Sequence, residues 1–272
     1  MTFLRIDESK CKKDGICAAE CPRALIRIQA DTGYPDLVPG GDKACNRCGH
    51  CVAVCPSGSL NHWDIQSEDC VRIKRELILN EEQAAQFLRS RRSIRAYKDT
   101  PVENEKIKRL IEIARYAPTG GNSQLVEWLV LTDKNKLQKI AGMTIECFRR
   151  EINEKPQLLE YLTPIFKSWE AGLDSILWNA PVLVVASAPT QTSTGMADLC
   201  IALSYLDLLA PTMGLGTCWA GLLQHAIISS PALKDFLGVP ADHPHLFPIV
   251  LGYPIAKYYQ LPGRKPPRIT FG

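Results

Sequence analysis

The stretch CNRCGHCVAVCP, residues 45–56, sets Cys45, Cys48, Cys51 and Cys55 in a C-x2-C-x2-C-x3-CP run. That spacing is compact enough for three thiolates to reach three irons of one cube, while the fourth cysteine opens a helix pointing elsewhere. An earlier stretch, CKKDGICAAECP at 11–22, repeats the run with one change: Cys11, Cys17 and Cys21 hold the first, third and fourth places, and Asp14 holds the second. A segment this short, with few long apolar runs, has to fold around what its cysteines hold.

Of eleven cysteines, seven lie in the first 55 residues. In a small secreted chain such a number would suggest disulfides, but in a reducing compartment short ligand spacings favour metal or cluster binding. A zinc site built from two C-x2-C pairs is the plain alternative, and the paired CP endings argue against it. The first 60 residues resemble bacterial two-cluster ferredoxins, some of which carry aspartate at the place of Asp14. In that family the fourth cysteine of each run ligates the other cluster. One cluster would then take Cys45, Cys48, Cys51 and Cys21, and the other Cys11, Cys17, Cys55 and position 14. Two readings of Asp14 stay open. It ligates a complete 4Fe-4S cube as a ligand harder than thiolate, or it caps a turn before Gly15 and a 3Fe-4S cluster forms. Either would set the two potentials apart. A module of this size conducts electrons and implies a second module that gives or takes them.

The chain has 272 residues, 46% hydrophobic and 22% charged, with a net charge of +3 that gives no reason to expect nucleic acid. No segment approaches the roughly 20 apolar residues of a membrane span, the longest run being 180–188, and MTFLRIDESK lacks the build of a signal peptide. A cytoplasmic protein is expected, with no membrane partner. We expect a ferredoxin-like domain at 1–65, a linker at 66–80 and an α+β domain at 81–272. Helices are expected at 81–91, at 104–117 with Ile107, Leu110, Ile111 and Ala114 on one face, at 134–151 capped by Asp133, and at 196–213. Strands are expected at 127–133, 217–223 and 247–252. LDSILWNAPVLVVASAP turns from helix to strand at Ala180-Pro181, and the proline-rich tail from Gln260 runs as an extended arm.

Within RSRRSIRAYKDTPV (89–102), Arg91, Arg92, Ser93 and Arg95 could grip a phosphate, although on their own a solvated basic helix end explains them better. APTGGNSQ (117–124) is a Gly-rich loop with Asn122 and Gln124 amides suited to a flat heterocycle. MGLGTCWAGLL (213–223) brings close glycines into a strand, where another group approaches the backbone. LPGRKPPRITF (261–271) adds Arg264 and Lys265. In this order the segments resemble the nitroreductase family of FMN enzymes over roughly residues 82–272.

The resemblance implies a nitroreductase-like α+β fold with a central, mainly antiparallel sheet flanked by helices, and a homodimer with FMN at the subunit interface. It places Arg91, Arg92, Ser93 and Arg95 at one FMN edge, with Arg91 and Arg264 towards the phosphate, Lys265 beside Arg264 among the cofactor-binding residues, and Arg95 near N1 and O2, where a cation stabilises the reduced ring. Pro118, Thr119, Gly120, Asn122 and Gln124 approach the same flavin from the partner, and backbone at Ala220 and Gly221 faces N5. The family's Gln-Pro-Trp after this loop is replaced here by Gln124-Leu125-Val126-Glu127-Trp128. Cys70, Cys147, Cys200 and Cys218 read as packing residues, and His50, His225, His243 and His245 as non-ligands. Tyr161, Phe166 and Trp169 fall in the family's substrate-lid region but, at helical spacing, read as core. The whole is expected to be an FMN-dependent oxidoreductase charged by ferredoxin or NAD(P)H and reducing a nitroaromatic or quinone-like acceptor. The competing expectation is an electron-transfer subunit of a larger complex.

Overall fold

The computed structural model describes residues 3–272 and divides into two compact units, one ending at Ile78 and one running Leu79–Gly272. In the first unit, β1 (Leu4–Ile6) is followed by α1 (Ile16–Ala19), β2 (Ile26–Ile28), β3 (Pro35–Leu37), α2 (Gly41–Ala44), α3 (His50–Ala53) and β4 (Leu60–His62). β1 pairs antiparallel with β4, Leu4 opposite His62, and β2 pairs with β3. The sequence repeat is also a structural one. α1 and α3 each start from a left-handed glycine, Gly15 at φ 72° and Gly49 at φ 75°, a conformation that a side chain would strain. Among the described residues, Ile26, Pro35, Val52 and Leu60 are the buried apolar side chains of this unit. So small a core needs a staple, which a group held by the cysteines would supply.

In the second unit, α4 (Glu81–Ser90) begins with a capping box in which Asn80 accepts from the Gln83 amide and Gln83 reaches back. Then come α5 (Asn104–Ala114), β5 (Glu127–Leu131), α6 (Lys134–Glu154), α7 (Leu159–Glu170), β6 (Val182–Ala188), α8 (Gly195–Leu209), β7 (Gly216–Trp219), α9 (Gly221–Ser229), α10 (Pro231–Leu237) and β8 (His245–Gly252). Asp133 caps α6 through the Lys136 amide at 2.6 Å. The sheet is antiparallel throughout, in the order β5-β6-β8-β7.

All seven residues of β6 are buried because both sheet faces are covered. Leu183 and Val185 meet α6, α7, α9 and α10 on one face, and Val182 and Val184 meet α5 and α8 on the other. Burial of each such side chain contributes about 1.5–3 kcal/mol. Phe166 lies in the first of these cores, with Trp169 packed against it, whereas Tyr161 is exposed.

Four expectations are corrected. The segment before Ala180 forms turns rather than a helix: the Asp174 carboxylate takes the amides of Ile176, Leu177 and Asn179, and Trp178 and Asn179 are left-handed. The strand expected at 217–223 stops at Trp219, and the apolar run from Gly221 is helix instead. Cys70 is exposed and has no packing role. Gly195–Met213 is, with a mean hydropathy of 1.3, long and apolar enough to cross a membrane, although it sits here as a helix between α5 and the sheet.

Candidate cofactor sites

The cysteines of the first unit are sorted in space across the two runs. Cys51 is surrounded by Cys48, Cys21 and Cys45; burial, then their neighbouring charge, pushes its thiol up to about 11. A nest of four sulfurs carries negative charge stably only around a cationic core, which is what an iron–sulfur cube provides. Backbone amides already point at the sulfurs: Leu25 donates to Cys21 Sγ at 3.3 Å and Arg47 to Cys45 Sγ at 3.4 Å.

The other set forms around Cys17, whose thiol is raised by burial first and then by the charges of Asp14 and Cys11. Asp14 Oδ1 accepts from the Ile16 amide at 3.2 Å, so the carboxylate caps the turn at Gly15 while standing beside the sulfurs. Cys55 is tuned differently. Burial raises its thiol, but donors from Ser59, Ser57 and the amides of Ser59 and Leu60 outweigh this and bring it to about 7. Hydrogen bonds of this kind stabilise the charge on a ligand sulfur and raise a cluster's potential.

In the second unit the expected flavin residues fall into two groups. The segment after α4 lies along β7: Ser93 bridges to Thr217, and the Ile94 amide donates to the Thr217 carbonyl at 2.8 Å. This sets Ser93, Cys218 and the β7–α9 turn side by side. Ala220 is buried and donates to the Pro248 carbonyl, and Gly221 opens α9 with no atom within 4 Å of where a Cβ would stand. Arg91 Nη1 lies 3.7 Å from Asp207 Oδ2, Arg92 lies over Tyr258, and Arg95 stands 5.2 Å from the Trp178 ring centre. Burial pushes both the Cys218 thiol and the Tyr97 phenol up, so neither offers an ionised group here.

The second group is the loop after α5. The Gly120 amide donates to Asp198 Oδ1 at 3.0 Å, the Thr194 hydroxyl donates to Asp198 Oδ2 at 3.0 Å, and a Cβ on Gly120 would collide with Thr194. Thr119 Oγ1 accepts from the Gln124 amide, and Asn122 and Gln124 are both left-handed. Pro118 is exposed. In this loop the Ser123 hydroxyl is buried without a hydrogen-bond partner, an orphan that a ligand's polar atom would satisfy. Open backbone at Gly221, clustered guanidinium groups and this hydroxyl suit a phosphorylated flat heterocycle. Arg264 and Lys265 are exposed on the tail.

Two acids that the sequence reading did not weigh organise these groups. Asp198 anchors the loop from the first turn of α8. Asp207, buried near its last turn, accepts from Trp219 Nε1 at 3.0 Å and from the Thr217 hydroxyl. Two carboxylates in so apolar a helix were the available signal. Asp207→Ala strands both donors and is expected to destabilise the second unit by about 3 kcal/mol. Asp207→Asn, which keeps one acceptor oxygen, should cost less; urea unfolding followed by tryptophan fluorescence distinguishes the two.

Residues 88–253, more than half of the chain, match the model of the nitroreductase family, and residues 5–59 match that of the 4Fe-4S dicluster domain. A protein of Archaeoglobus fulgidus, named provisionally an NADH dehydrogenase/NAD(P)H nitroreductase, is 25% identical over 64% of this chain and 86% of its own. An FMN reductase [NAD(P)H] of Bacillus subtilis is 28% identical over 61% of this chain and 64% of its own length. The fold is shared with a nitroreductase with bound FMN from Bacteroides fragilis, at 22% identity and a TM-score of 0.57, over 71% of this chain and 99% of that one.

Proposed function

The chain belongs to the nitroreductase family and carries a 4Fe-4S dicluster domain ahead of that module, and from this premise we propose that it passes electrons between two ferredoxin-type clusters and FMN to reduce a small organic acceptor, nitroaromatic or quinone-like. FMN, once bound, supplies a two-electron carrier that one-electron clusters can charge stepwise. The chain's own residues bind and orient. Arg91, flanked by Asp207, offers its guanidinium to the phosphate; Ser93 and Arg95 line the same edge, Arg95 supplying a positive charge near N1 and O2. Gly221 leaves its backbone open to N5, with Ala220 packed beneath. Arg264 and Lys265 join them when the tail folds over a bound phosphate. The clusters take Cys45, Cys48, Cys51 and Cys21 in one set and Cys11, Cys17, Cys55 and Asp14 in the other. Electrons enter from a redox partner, ferredoxin or NAD(P)H; the relatives named for NAD(P)H favour the latter.

One observation carries the reading of the flavin site. The Arg91 group is held at Asp207 and the loop 118–124 at Asp198, residues on the order of 13 Å apart along α8 at 1.5 Å per residue. Between them, Ile201 and Tyr205, an i and i+4 pair on an apolar helix whose opposite face is buried, are left 37% and 39% exposed. Two half-sites on opposite ends of a helix with a bare apolar stripe are what a homodimer sharing its flavins requires, each site taking Arg91 from one chain and Asn122 from the other.

Anaerobically purified, oxidised protein mixed in turn with NADPH, NADH or reduced ferredoxin tests the route. The expected result is that at least one donor reduces both the flavin and the clusters, and that a nitroaromatic or quinone reoxidises both with many turnovers. Bleaching of the flavin before the clusters identifies FMN as the entry port; the reverse order identifies the clusters. Reduction without turnover on any small acceptor would overturn the reading in favour of an electron-transfer subunit.

A further inference from the structure

His62 is a histidine outside both cysteine runs, at the end of β4, and only 3% of its surface is exposed. Its ring is held from several sides. The Asp64 amide donates to Nδ1 at 3.1 Å, the Phe3 ring stands edge-on at 4.5 Å, and the Gln66 side-chain amide donates to the His62 carbonyl at 2.8 Å. Because Nδ1 accepts, the proton of the ring is on Nε2. Nε2 faces the sulfur of Cys45 at 3.8 Å, within reach of the soft acceptor that a ligand thiolate becomes.

We propose that His62 is a positioning residue for electron transfer: its Nε2–H donates to Cys45 Sγ and raises the potential of the cluster that Cys45 shares with Cys21, Cys48 and Cys51. This rests on the iron–sulfur reading of the first unit. The physical reason is charge. A reduced cluster is more negative than an oxidised one, so a donor aimed at a ligand sulfur stabilises the reduced form more. The Asp64 amide fixes the tautomer, which is how outer partners generally tune a ligand. The Arg47 amide donates to the same sulfur, so Cys45 gathers two donors, one of which belongs to a side chain and can be removed without rebuilding the loop.

The test is an EPR-monitored redox titration of the full, anaerobically loaded chain as parent, His62→Leu and His62→Gln. In His62→Leu the reduced-to-oxidised ratio of one cluster at fixed potential should fall roughly tenfold, ~59 mV for a one-electron couple, while the other cluster titrates as in the parent. His62→Gln, whose amide N–H reaches about as far as Nε2, should restore the parent value. A Leu variant that titrates like the parent, a Gln variant that falls with it, or equal shifts of both clusters would overturn the proposal. Should His62→Leu fail to load, His62→Asn takes its place: its amide can accept from Asp64 but stops short of Cys45, so its midpoint must fall. A parent chain without two cluster signals would overturn the proposal together with the iron–sulfur reading beneath it, and the parent titration alone shows which has failed.

Discussion

Cys21→Ala should abolish the same EPR signal as Cys48→Ala, although the two residues belong to different cysteine runs. Each variant, prepared anaerobically, should lose roughly half of its iron and acid-labile sulfide, because a cube deprived of one thiolate loses its hold while the other keeps all of its ligands. The ground for this is the placing of Cys51 among Cys48, Cys21 and Cys45, with the Leu25 amide already directed at Cys21 Sγ. Flavin content should not change, since the second unit has its own core. Variants that remove different signals would reject the exchange of fourth cysteines between the runs.

A still larger effect is expected when two damaged chains are combined. If Arg91 holds the FMN phosphate as proposed, Arg91→Ala would remove a charged donor worth about 1.5–3 kcal/mol, or roughly 10- to 150-fold in affinity. Gly120→Val drives the loop 118–124 away from Thr194 and should weaken binding at least as much. Each variant alone gives a dimer with two poor sites. Co-expressed with different tags and purified as the mixed dimer, they should recover one FMN per dimer at close to the parent affinity, since one interface then carries neither change. If Arg91 and Gly120 served a site within one chain, the mixed dimer would bind no better than its parents. Flavin fluorescence titration of the three species decides between these outcomes.

What could be read from the sequence was whatever depends on near neighbours. Ligand spacing in the two cysteine runs, the helix caps at Asn80 and Asp133 and the apolar face of α5 all lie within a few residues of the groups they engage. Local pattern misled where two structures share one composition. GLLQHAII continues an apolar strand as plausibly as it begins a helix; beyond Trp219 opposite Ile249 the next residue of β8 is Pro248, which accepts from the Ala220 amide but has no N–H to return, and the ladder stops there. Before Ala180, Asp174 diverts the amides that a helix would have used. Asp198, Asp207 and His62 were missed for a different reason. Their partners Gly120, Arg91 and Cys45 are remote in sequence, and only the fold makes them neighbours. The separation of the flavin residues into two groups likewise becomes visible only once α8 lies between them.

The first unit buries few apolar side chains among its described residues, Ile26, Pro35, Val52 and Leu60, against two extensive cores in the second. A segment so poor in oily interior has little reason to stay folded when its metal is gone, because the free energy of binding is there the free energy of folding. The two ends of the chain are therefore expected to differ in lifetime. Exposure to oxygen, or a shortage of iron, would unravel the amino-terminal end and offer it to proteases, while the carboxy-terminal end remained intact. A protein built in this way would be shortened from its cluster-bearing end when the supply of iron fails, and the share of chains still whole would become a gauge of that supply.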